Sequence, residues 1–286
     1  MSGPFTAACV QMTAGREIES NIAAASTAIR EARAAGADFI LTPENTTMIE
    51  SKRALLLEKA KPEAEHPALP AFQALAAEIG AWLLIGSLTI RLEDGRCANR
   101  SFLLDDAGRI AARYDKIHMF DVDLAGGERY RESASFRPGG EAVVADTPWG
   151  RVGLSVCYDL RFAHLYRALA QAGADFLTVP AAFTRPTGQA HWHVLLRARA
   201  IETGCFVFAP AQCGEHAEGR KTYGHSLIVA PWGEILAEGG EEPGLILAEI
   251  DPAKTEEARR MVPALSHDRP FTVPPTVRPP LNAAGA

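Results

Sequence analysis

Two short apolar runs with nearly the same sequence constrain the fold more than any other feature of this chain. Residues 37–43 read ADFILTP and residues 174–180 read ADFLTVP, and each run follows a predicted helix that ends in Ala-Gly. An almost uninterrupted apolar run of this length is typical of a strand buried on both faces. We therefore expect two βα halves that face one another across a common core.

The elements around these runs indicate mixed sheets. Helical patterns cover residues 17–35, 51–61, 70–79, 162–173, 188–203 and 252–261, and strands are expected at 5–12, 37–42, 82–90, 99–104, 110–114, 142–146, 150–157, 174–180, 205–211, 226–230 and 245–250. Several consecutive strands interrupt the alternation of strands and helices, which favours stacked layers of helix, sheet, sheet and helix. We predict an α/β fold, a four-layer αββα sandwich, in a single domain over residues 1–270 with a Pro/Ala-rich tail at 271–286. Residues 116–140 are expected to form a long irregular loop, and loops of this length are commonly functional.

Charge and cysteine content exclude several classes of protein. The net charge of −6, without a long Lys/Arg run, gives no electrostatic reason to expect nucleic-acid or anionic membrane partners. No apolar stretch has the length of a membrane span, and no basic segment followed by an apolar one marks a signal peptide. The five cysteines include no CxxC pair, which argues against a disulfide framework or a structural zinc site. We expect a protein of the reducing cytoplasm.

Cys157 is the first candidate for chemistry. The alternating run at 152–156 predicts a strand that stops at Cys157, and a helix is expected from Phe162. Ligands bind at the carboxyl ends of strands in open α/β sheets, and a helix N-terminus lowers the pKa of a thiol. A cysteine in this place is a candidate nucleophile, although a small buried side chain at the end of a core strand is an equally simple interpretation.

Two further residues supply what a thiol needs for acyl transfer without histidine. Glu44 follows the buried run at 37–43, and Lys116 opens the long loop. A carboxylate can take the thiol proton, and an ammonium group can stabilise the oxyanion that forms when the thiolate attacks a carbonyl. Taken singly, Glu44 could instead be a carboxylate at a helix start, and Lys116 a solvated loop residue.

Three motifs together resemble the nitrilase superfamily of carbon–nitrogen hydrolases. They are PEN at 43–45, YDKIHMFDVD at 114–123 and VCYDLRF at 156–162, and the resemblance extends from about residue 5 to residue 270. It implies an αββα sandwich, a catalytic triad of Glu44, Lys116 and Cys157, and a homodimer or higher homo-oligomer that pairs sandwiches across a helical interface. It also implies a second glutamate at the site, for which Glu132 matches the Glu-Ser context and Glu128 is the nearby rival.

Motifs in the second half resemble one branch of that superfamily. They are TGQAHW at 187–192, LLRARAIET at 195–203, AQCG at 211–214, YGHS at 223–226 and PWG at 231–233. They resemble the deaminated glutathione amidases more closely than the ω-amidases, which hydrolyse α-ketoglutaramate. Both branches imply a small acidic amide as substrate. His193 departs from the pattern, because these branches usually carry Glu there, and this departure puts the substrate in question.

Other readings of the same residues remain open. A true nitrilase or a carbamoyl hydrolase would use the same triad, and a non-catalytic dimeric interaction module would keep only the fold. The resemblance to an amidase implies a small-molecule amide partner, and we expect no metal and no cofactor, since the sequence shows neither a nucleotide-binding glycine loop nor a convincing metal cluster.

The remaining site residues concern the oxyanion and the substrate. The backbone N–H of Tyr158 is expected to join Lys116 at the oxyanion. Arg161 could bind a substrate carboxylate through its bidentate fork or instead pair with Asp159. Further candidates for substrate binding are Phe183, Arg185 and His191. A metal pair of His191 with His193 is not expected, because residues two apart lie on different faces of a helix.

Overall fold

The computed structural model of the protein describes residues 3–124 and 127–274. Its strands are β1 (Phe5–Gln11), β2 (Phe39–Leu41), β3 (Trp82–Arg91), β4 (Cys97–Leu104), β5 (Ile110–Asp115), β6 (Asp121–Asp123), β7 (Arg129–Arg131), β8 (Val144–Thr147), β9 (Gly150–Leu154), β10 (Phe176–Thr178), β11 (Phe206–Ala209), β12 (Cys213–Glu215), β13 (Lys221–Tyr223), β14 (Leu227–Val229), β15 (Ile235–Glu238) and β16 (Gly244–Ile250). Its α-helices are α1 (Ile18–Ala34), α2 (Arg53–Lys59), α3 (Ala68–Ile79), α4 (Ala163–Gln171), α5 (Arg185–Thr203) and α6 (Ala253–Met261).

Two six-stranded sheets of the same design form the centre of the molecule. The first has the order β16-β1-β2-β3-β4-β5 and the second the order β15-β14-β11-β10-β9-β8. In each sheet three parallel strands lie at the middle, with antiparallel strands at both edges. The two similar runs supply β2 and β10, each the middle one of the three parallel strands. This equivalence is the reason that both runs are apolar on both faces.

The core between the sheets is built from aromatic and aliphatic side chains of both. The Phe5 ring lies 5.5 Å from that of Phe176, and the Phe39 ring lies 6.0 Å from that of Phe208. Ile40, the next residue in β2, points the other way and packs with the residues of α1 and α3. Because successive strand residues face opposite sides, one run of apolar residues contributes to two layers of core.

Helices cover the outer face of each sheet. The buried faces of α1 and α3 pack on the first sheet, and those of α4 and α5 pack on the second. The predicted four-layer αββα sandwich is therefore confirmed. Among the described residues, no helix is both long enough and apolar enough to span a membrane.

The structure differs from the sequence prediction in several local places. Residues 116–140 are not one irregular loop, because β6 and β7 form a short hairpin that a 3-10 turn (Glu132–Ala134) follows. Helix α5 begins three residues earlier than expected, with a proline in its first turn. The strands β12, β13 and β15 were not predicted; they are three or four residues long and carry little alternation. Of the tail at 271–286, residues from 275 onward lie outside the described part of the chain.

Candidate active site

The predicted catalytic residues meet at the carboxyl ends of strands from both sheets. Glu44 follows β2, Lys116 follows β5 directly, and Cys157 lies three residues after the end of β9. Together with Glu132, all of them line one cavity of about 370 Å³. The strand edges place these side chains together although they are far apart in sequence, as expected for an open α/β sheet.

Close contact between β2 and β3 sets the position of Glu44. A Cβ atom on Gly86 would lie 2.1 Å from the carbonyl oxygen of Thr42 and 2.4 Å from that of Pro43, so a side chain has no room there. Asn45 then adopts a left-handed backbone conformation with φ of 55°, and the hydroxyl of Ser87 accepts its backbone N–H at 2.8 Å. The chain thus turns sharply at the strand end, and the Glu44 side chain enters the cavity.

Lys116 lies between two carboxylates. Its Nζ donates to Oε1 of Glu44 at 2.9 Å and lies 3.0 and 2.9 Å from Oε1 and Oε2 of Glu132. Lys116 and Glu44 are almost completely buried, with relative exposures of 2% and 3%. Lys116, Glu44 and Glu132 are therefore neighbours. This arrangement favours Glu132 over Glu128, whose carboxylate is exposed and accepts a hydrogen bond from the Tyr130 hydroxyl.

Further donors fix both carboxylates. The side-chain amide of Asn99 donates to Glu44 at 2.9 Å and to Glu132 at 3.1 Å. The backbone N–H of Ala182 donates to Glu44 Oε2 at 2.8 Å, and that of Phe120 to Glu132 Oε2 at 2.7 Å. Asn99 was not singled out from the sequence, because a lone asparagine within an apolar strand carries no motif. Buried groups with this many partners are held in one orientation.

The charges of the cluster follow from these contacts. Burial alone would raise the pKa of Glu44, but the Lys116 ammonium and hydrogen bonds from Lys116 and Cys157 hold that pKa below its usual value. Burial would lower the pKa of Lys116, but the carboxylates of Glu132 and Glu44 raise it well above its usual value. Lys116 is therefore an ammonium and Glu44 a carboxylate at neutral pH.

The thiol of Cys157 differs from the prediction. Burial and the nearby Glu44 carboxylate raise the pKa of Cys157 well above its usual value, and the Lys116 charge offsets this only in part. The expected lowering by a helix N-terminus is wrong, because Cys157 opens a five-residue 3-10 turn (Cys157–Arg161) and α4 begins only at Ala163. The resting side chain is therefore a neutral thiol.

A buried aspartate holds the turn at Cys157. The side chain of Asp159 is fully buried and accepts the Tyr114 hydroxyl at 2.7 Å and the Val156 backbone N–H at 2.9 Å. It also accepts the backbone N–H of His118 at 3.0 Å and lies 2.7 Å from Nδ1 of that residue. These contacts tie the turn to the segment that carries Lys116, and they stabilise the left-handed backbone of Cys157, whose φ is 50°.

The predicted substrate-binding residues divide into two groups. Phe183 lines the cavity, as does Tyr158. Arg161 does not pair with Asp159; it lies over the rings of Tyr158 and Phe183 and has Nη1 3.2 Å from Nδ1 of His191. Among the described residues that line the cavity, neither Arg161 nor His191 occurs.

Arg185 and His193 also lie away from the cavity. Arg185 pairs with Glu241 beside an adjoining surface cleft, and His193 on α5 contacts Glu238. The departure at His193 thus does not alter the walls of the cavity. The sequence alone does not distinguish this half-buried position on α5 from a position in the cavity wall.

Arg220 is a functional candidate that the sequence analysis missed. It lines the cavity, donates to the carbonyl of Ala182 at 3.1 Å, and lies over the Tyr130 ring at 5.6 Å. Its Nε is buried, and no described residue accepts its proton. Only its place before the YGHS motif at 223–226 could have drawn attention to it. A buried donor without a partner next to the reacting groups suits an anionic ligand.

Comparisons with known proteins agree with this geometry. A family model described as carbon-nitrogen hydrolase matches residues 6–260. The chain is 42% identical to the deaminated glutathione amidase of Synechocystis sp. (strain PCC 6803) over 269 residues, which cover 92% of this chain and 98% of that protein.

Solved structures show the same fold. The NitFhit protein of C. elegans matches with a TM-score of 0.88 and 37% identity over 94% of this chain, which spans 66% of that one. A variant of the amidase from Nesterenkonia sp. AN1, with the acetamide moiety of fluoroacetamide added covalently at its active-site cysteine, matches with a TM-score of 0.77 and 27% identity over 91% and 95% of the two chains. Since the family model spans most of the sequence and the Synechocystis relative aligns with nearly all of it, this chain belongs to the carbon-nitrogen hydrolase family, within the nitrilase superfamily.

Proposed function

We propose that the protein hydrolyses a small acidic amide through a thioester on Cys157. As a member of its family it is an amidase that acts on carbon–nitrogen bonds other than peptide bonds. The observation that carries the mechanism is the meeting of Glu44, Lys116 and Cys157 in one cavity. The covalent adduct at the cysteine of the Nesterenkonia relative supports Cys157 as the nucleophile.

The first half of the reaction forms the thioester. Glu44 takes the proton of the Cys157 thiol as its sulfur attacks the amide carbon. The oxyanion that develops is stabilised by the positive charge of Lys116 and by the backbone N–H of Tyr158. One such donor contributes about 3–4 kcal/mol to the transition state. Glu44 then gives its proton to the leaving nitrogen, and ammonia or an amine departs.

The second half hydrolyses the thioester. Glu44, a carboxylate again, takes a proton from a water molecule that attacks the thioester carbonyl. Lys116 and Tyr158 stabilise the second oxyanion in the same place. When the intermediate collapses, the carbon–sulfur bond breaks, the acid product leaves, and the proton on Glu44 returns to the sulfur of Cys157.

The charge of the cavity supports an acidic substrate, and we propose deaminated glutathione. Four arginines line the cavity, namely Arg53, Arg129, Arg131 and Arg220. Asp123 already pairs with Arg129 and Arg131, and Nε of Arg53 donates to the carbonyl of Ala134. Arg220, whose buried Nε has no partner among the described residues, is therefore the best placed to bind a substrate carboxylate. A relative of this chain carries the name deaminated glutathione amidase.

A side-by-side turnover assay tests the proposed function. The purified chain is supplied with deaminated glutathione, α-ketoglutaramate, a simple nitrile and N-carbamoyl-β-alanine, and Cys157→Ala is the matched control. We expect fastest release of the amine product from deaminated glutathione and none with Cys157→Ala. Fastest turnover of α-ketoglutaramate would favour an ω-amidase, and inactivity on all four would favour the non-catalytic interaction module.

Arg220→Gln tests the acidic end of the substrate separately. If Arg220 binds a carboxylate, KM should rise by about 10-fold or more, since a hydrogen bond to a charged group contributes about 1.5–3 kcal/mol. A neutral amide should show no such change. Equal losses for acidic and neutral amides would contradict the assignment of Arg220.

We also propose a homodimer. Val194 and Ile201 lie two turns apart on α5 and are exposed, as is Trp232, which shares a surface cleft with Ile201. An exposed apolar face of this kind is typical of an interface. Light scattering after size-exclusion chromatography should give a dimer for the natural chain and a monomer for Ile201→Lys; a natural chain that elutes as a monomer would refute the dimer.

Two organisational points complete the proposal. The five cysteines are all free and buried, which supports a reducing cytoplasm as the location. The single domain is proposed to extend to residue 270.

A further inference from the structure

Three side chains outside the catalytic cavity converge on one point, and we call them the His-His-Glu cluster: His193, His225 and Glu238. His193 lies on α5, His225 between β13 and β14, and Glu238 at the end of β15. Oε1 of Glu238 lies 3.0 Å from Nε2 of His193 and 3.0 Å from Nδ1 of His225. One ligand atom from each of the three residues lies within 4.8 Å of the other two.

The cluster is held in place before any ligand arrives. His225 has a left-handed backbone with φ of 53°, its N–H donates to the carbonyl of Gly240 at 2.9 Å, and its carbonyl accepts the indole N–H of Trp192 at 2.7 Å. The His225 ring stacks on Tyr223 with 4.4 Å between ring centroids. Residues whose rotamers are fixed in this way need little reorganisation to bind.

The geometry can hold a metal ion in place of the two hydrogen bonds. Both imidazoles face the same carboxylate oxygen rather than one each. Zinc bonds to imidazole nitrogen and carboxylate oxygen at about 2.0–2.2 Å, which places neighbouring ligands of a tetrahedron about 3.4 Å apart. The nitrogen-to-oxygen distances of 3.0 Å in the cluster are close to that spacing.

The donor set and the exposure decide the class of ion. Two imidazole nitrogens with one carboxylate favour a divalent transition metal of the zinc type, whereas magnesium and calcium prefer oxygen ligands. The side chains of His193, His225 and Glu238 are 29%, 21% and 40% exposed, so an ion can enter and keep a water molecule as a fourth ligand. We propose that the His-His-Glu cluster is a zinc-type metal site.

The site is structural rather than catalytic in this proposal. The Trp192 ring lies 5.0 Å from the ring of Phe183, which lines the cavity. Its indole N–H donates the hydrogen bond to the carbonyl of His225. A bound ion would therefore fix a layer behind the cavity wall, at a distance from the reacting thiol. No metal was expected from the sequence, where the only histidine pair considered for His193 was with His191. The partners of His193 lie much later in the chain, one between β13 and β14 and one at the end of β15. This inference is independent of the amidase assignment.

Metal titration of the full chain tests the proposal. The protein is first treated with a chelator, and Zn²⁺ binding is then measured by calorimetry and Co²⁺ binding by visible absorption. The Cys157→Ser background removes the catalytic thiol, which is itself a potential ligand. We expect one ion per chain and a cobalt spectrum without a thiolate-to-metal band. A thiolate band, or the absence of saturable binding, would overturn the site.

His193→Gln separates metal binding from hydrogen bonding. Glutamine can still donate to Glu238 but is a poor ligand for zinc. Loss of a residue that only hydrogen-bonds to a metal ligand weakens metal binding by about 10–100-fold. Loss of the ligand His193 itself should weaken Zn²⁺ binding by more than this, and Zn²⁺ should no longer raise Tm. His267→Gln, at an exposed histidine elsewhere on the surface, should bind as the natural chain does. Unchanged affinity in His193→Gln, or an equal loss in His267→Gln, would refute the proposal.

Discussion

The substitution Glu132→Gln isolates the part of the catalytic cluster that positions Lys116. It keeps the volume of the side chain and removes its charge. Nζ of Lys116 lies 3.0 and 2.9 Å from the two oxygens of Glu132, and the backbone N–H of Phe120 lies 2.7 Å from the second. A glutamine has one acceptor oxygen for these two donors, so at least one of them loses its partner or faces an amide N–H.

The magnitude follows from the burial of the pair. Removal of one partner from a buried ion pair costs about 3–5 kcal/mol, and the lower limit applies here because Lys116 keeps Glu44 at 2.9 Å. If about 3 kcal/mol of this loss appears in the transition state, kcat falls by about 100-fold, since 1.36 kcal/mol corresponds to a factor of ten. Glu44 would also become a weaker base, because Lys116 would then pair with it alone.

The assay measures kcat and KM for amine release with the best amide, for the natural chain, Glu132→Gln and Glu128→Gln. Glu128 is the matched control, because it is an exposed glutamate of the same segment. We expect kcat to fall in Glu132→Gln with little change of KM, and neither to change in Glu128→Gln. A kcat within about threefold of the natural value would refute the positioning role of Glu132, as would an equal loss in both variants at a temperature where both are folded.

Three further outcomes follow from single residues. Iodoacetamide should label Cys157 before the other cysteines, since Cys157 is 7% exposed and the other four are 0% exposed. The labelling rate should still rise above pH 9, because burial and Glu44 raise the pKa of Cys157. A labelling rate, followed by peptide mapping, that reaches a plateau below pH 8 would contradict this. Gly86→Ala should lower the free energy of unfolding by about 3 kcal/mol or more, because the new Cβ would meet two backbone carbonyls, whereas Gly140→Ala, where a Cβ meets nothing within 4 Å, should be nearly neutral in denaturant titrations. Burial lowers the pKa of His66 from 6.5 to about 4, so between these pH values the unfolded chain binds a proton that the folded chain does not. The free energy of unfolding should therefore fall by about 3 kcal/mol as the pH drops from 6.5 to 4. An equal pH dependence of the free energy of unfolding in His66→Gln would assign that fall to other groups.

The layers of the fold could be predicted because they depend on repeated local patterns. The two apolar runs at 37–43 and 174–180 identify the middle strands, and the helices before them have a clear periodicity. Short strands such as β12, β13 and β15 could not be predicted in the same way. They pair with neighbouring segments, as in Glu215 with Lys221 and Leu227 with Glu238, and three or four residues are too few to show a period.

The candidate site likewise contains residues that the sequence identifies and residues that it does not. Residues at strand ends, such as Glu44 and Cys157, have a local signature in the sequence. Asn99 and Arg220 have none, because their importance comes from what the fold brings to them: Asn99 lies between two carboxylates, and Arg220 has a buried donor without a partner among the described residues. The pKa of Cys157 was predicted in the wrong direction for the same reason, since the sequence does not show burial.

The hydrogen bond between Glu44 and Ala182 has a consequence for refolding. Glu44 follows a strand of the first sheet and Ala182 a strand of the second, 138 residues later in the chain, yet the backbone N–H of one fixes the carboxylate of the other at 2.8 Å. The first half supplies Lys116 and Asn99 as donors to Oε1 of Glu44, but Oε2 gains its backbone donor only from the second half. Recovery of turnover after dilution from denaturant should therefore coincide with the docking of the two sheets and lag behind the return of secondary structure.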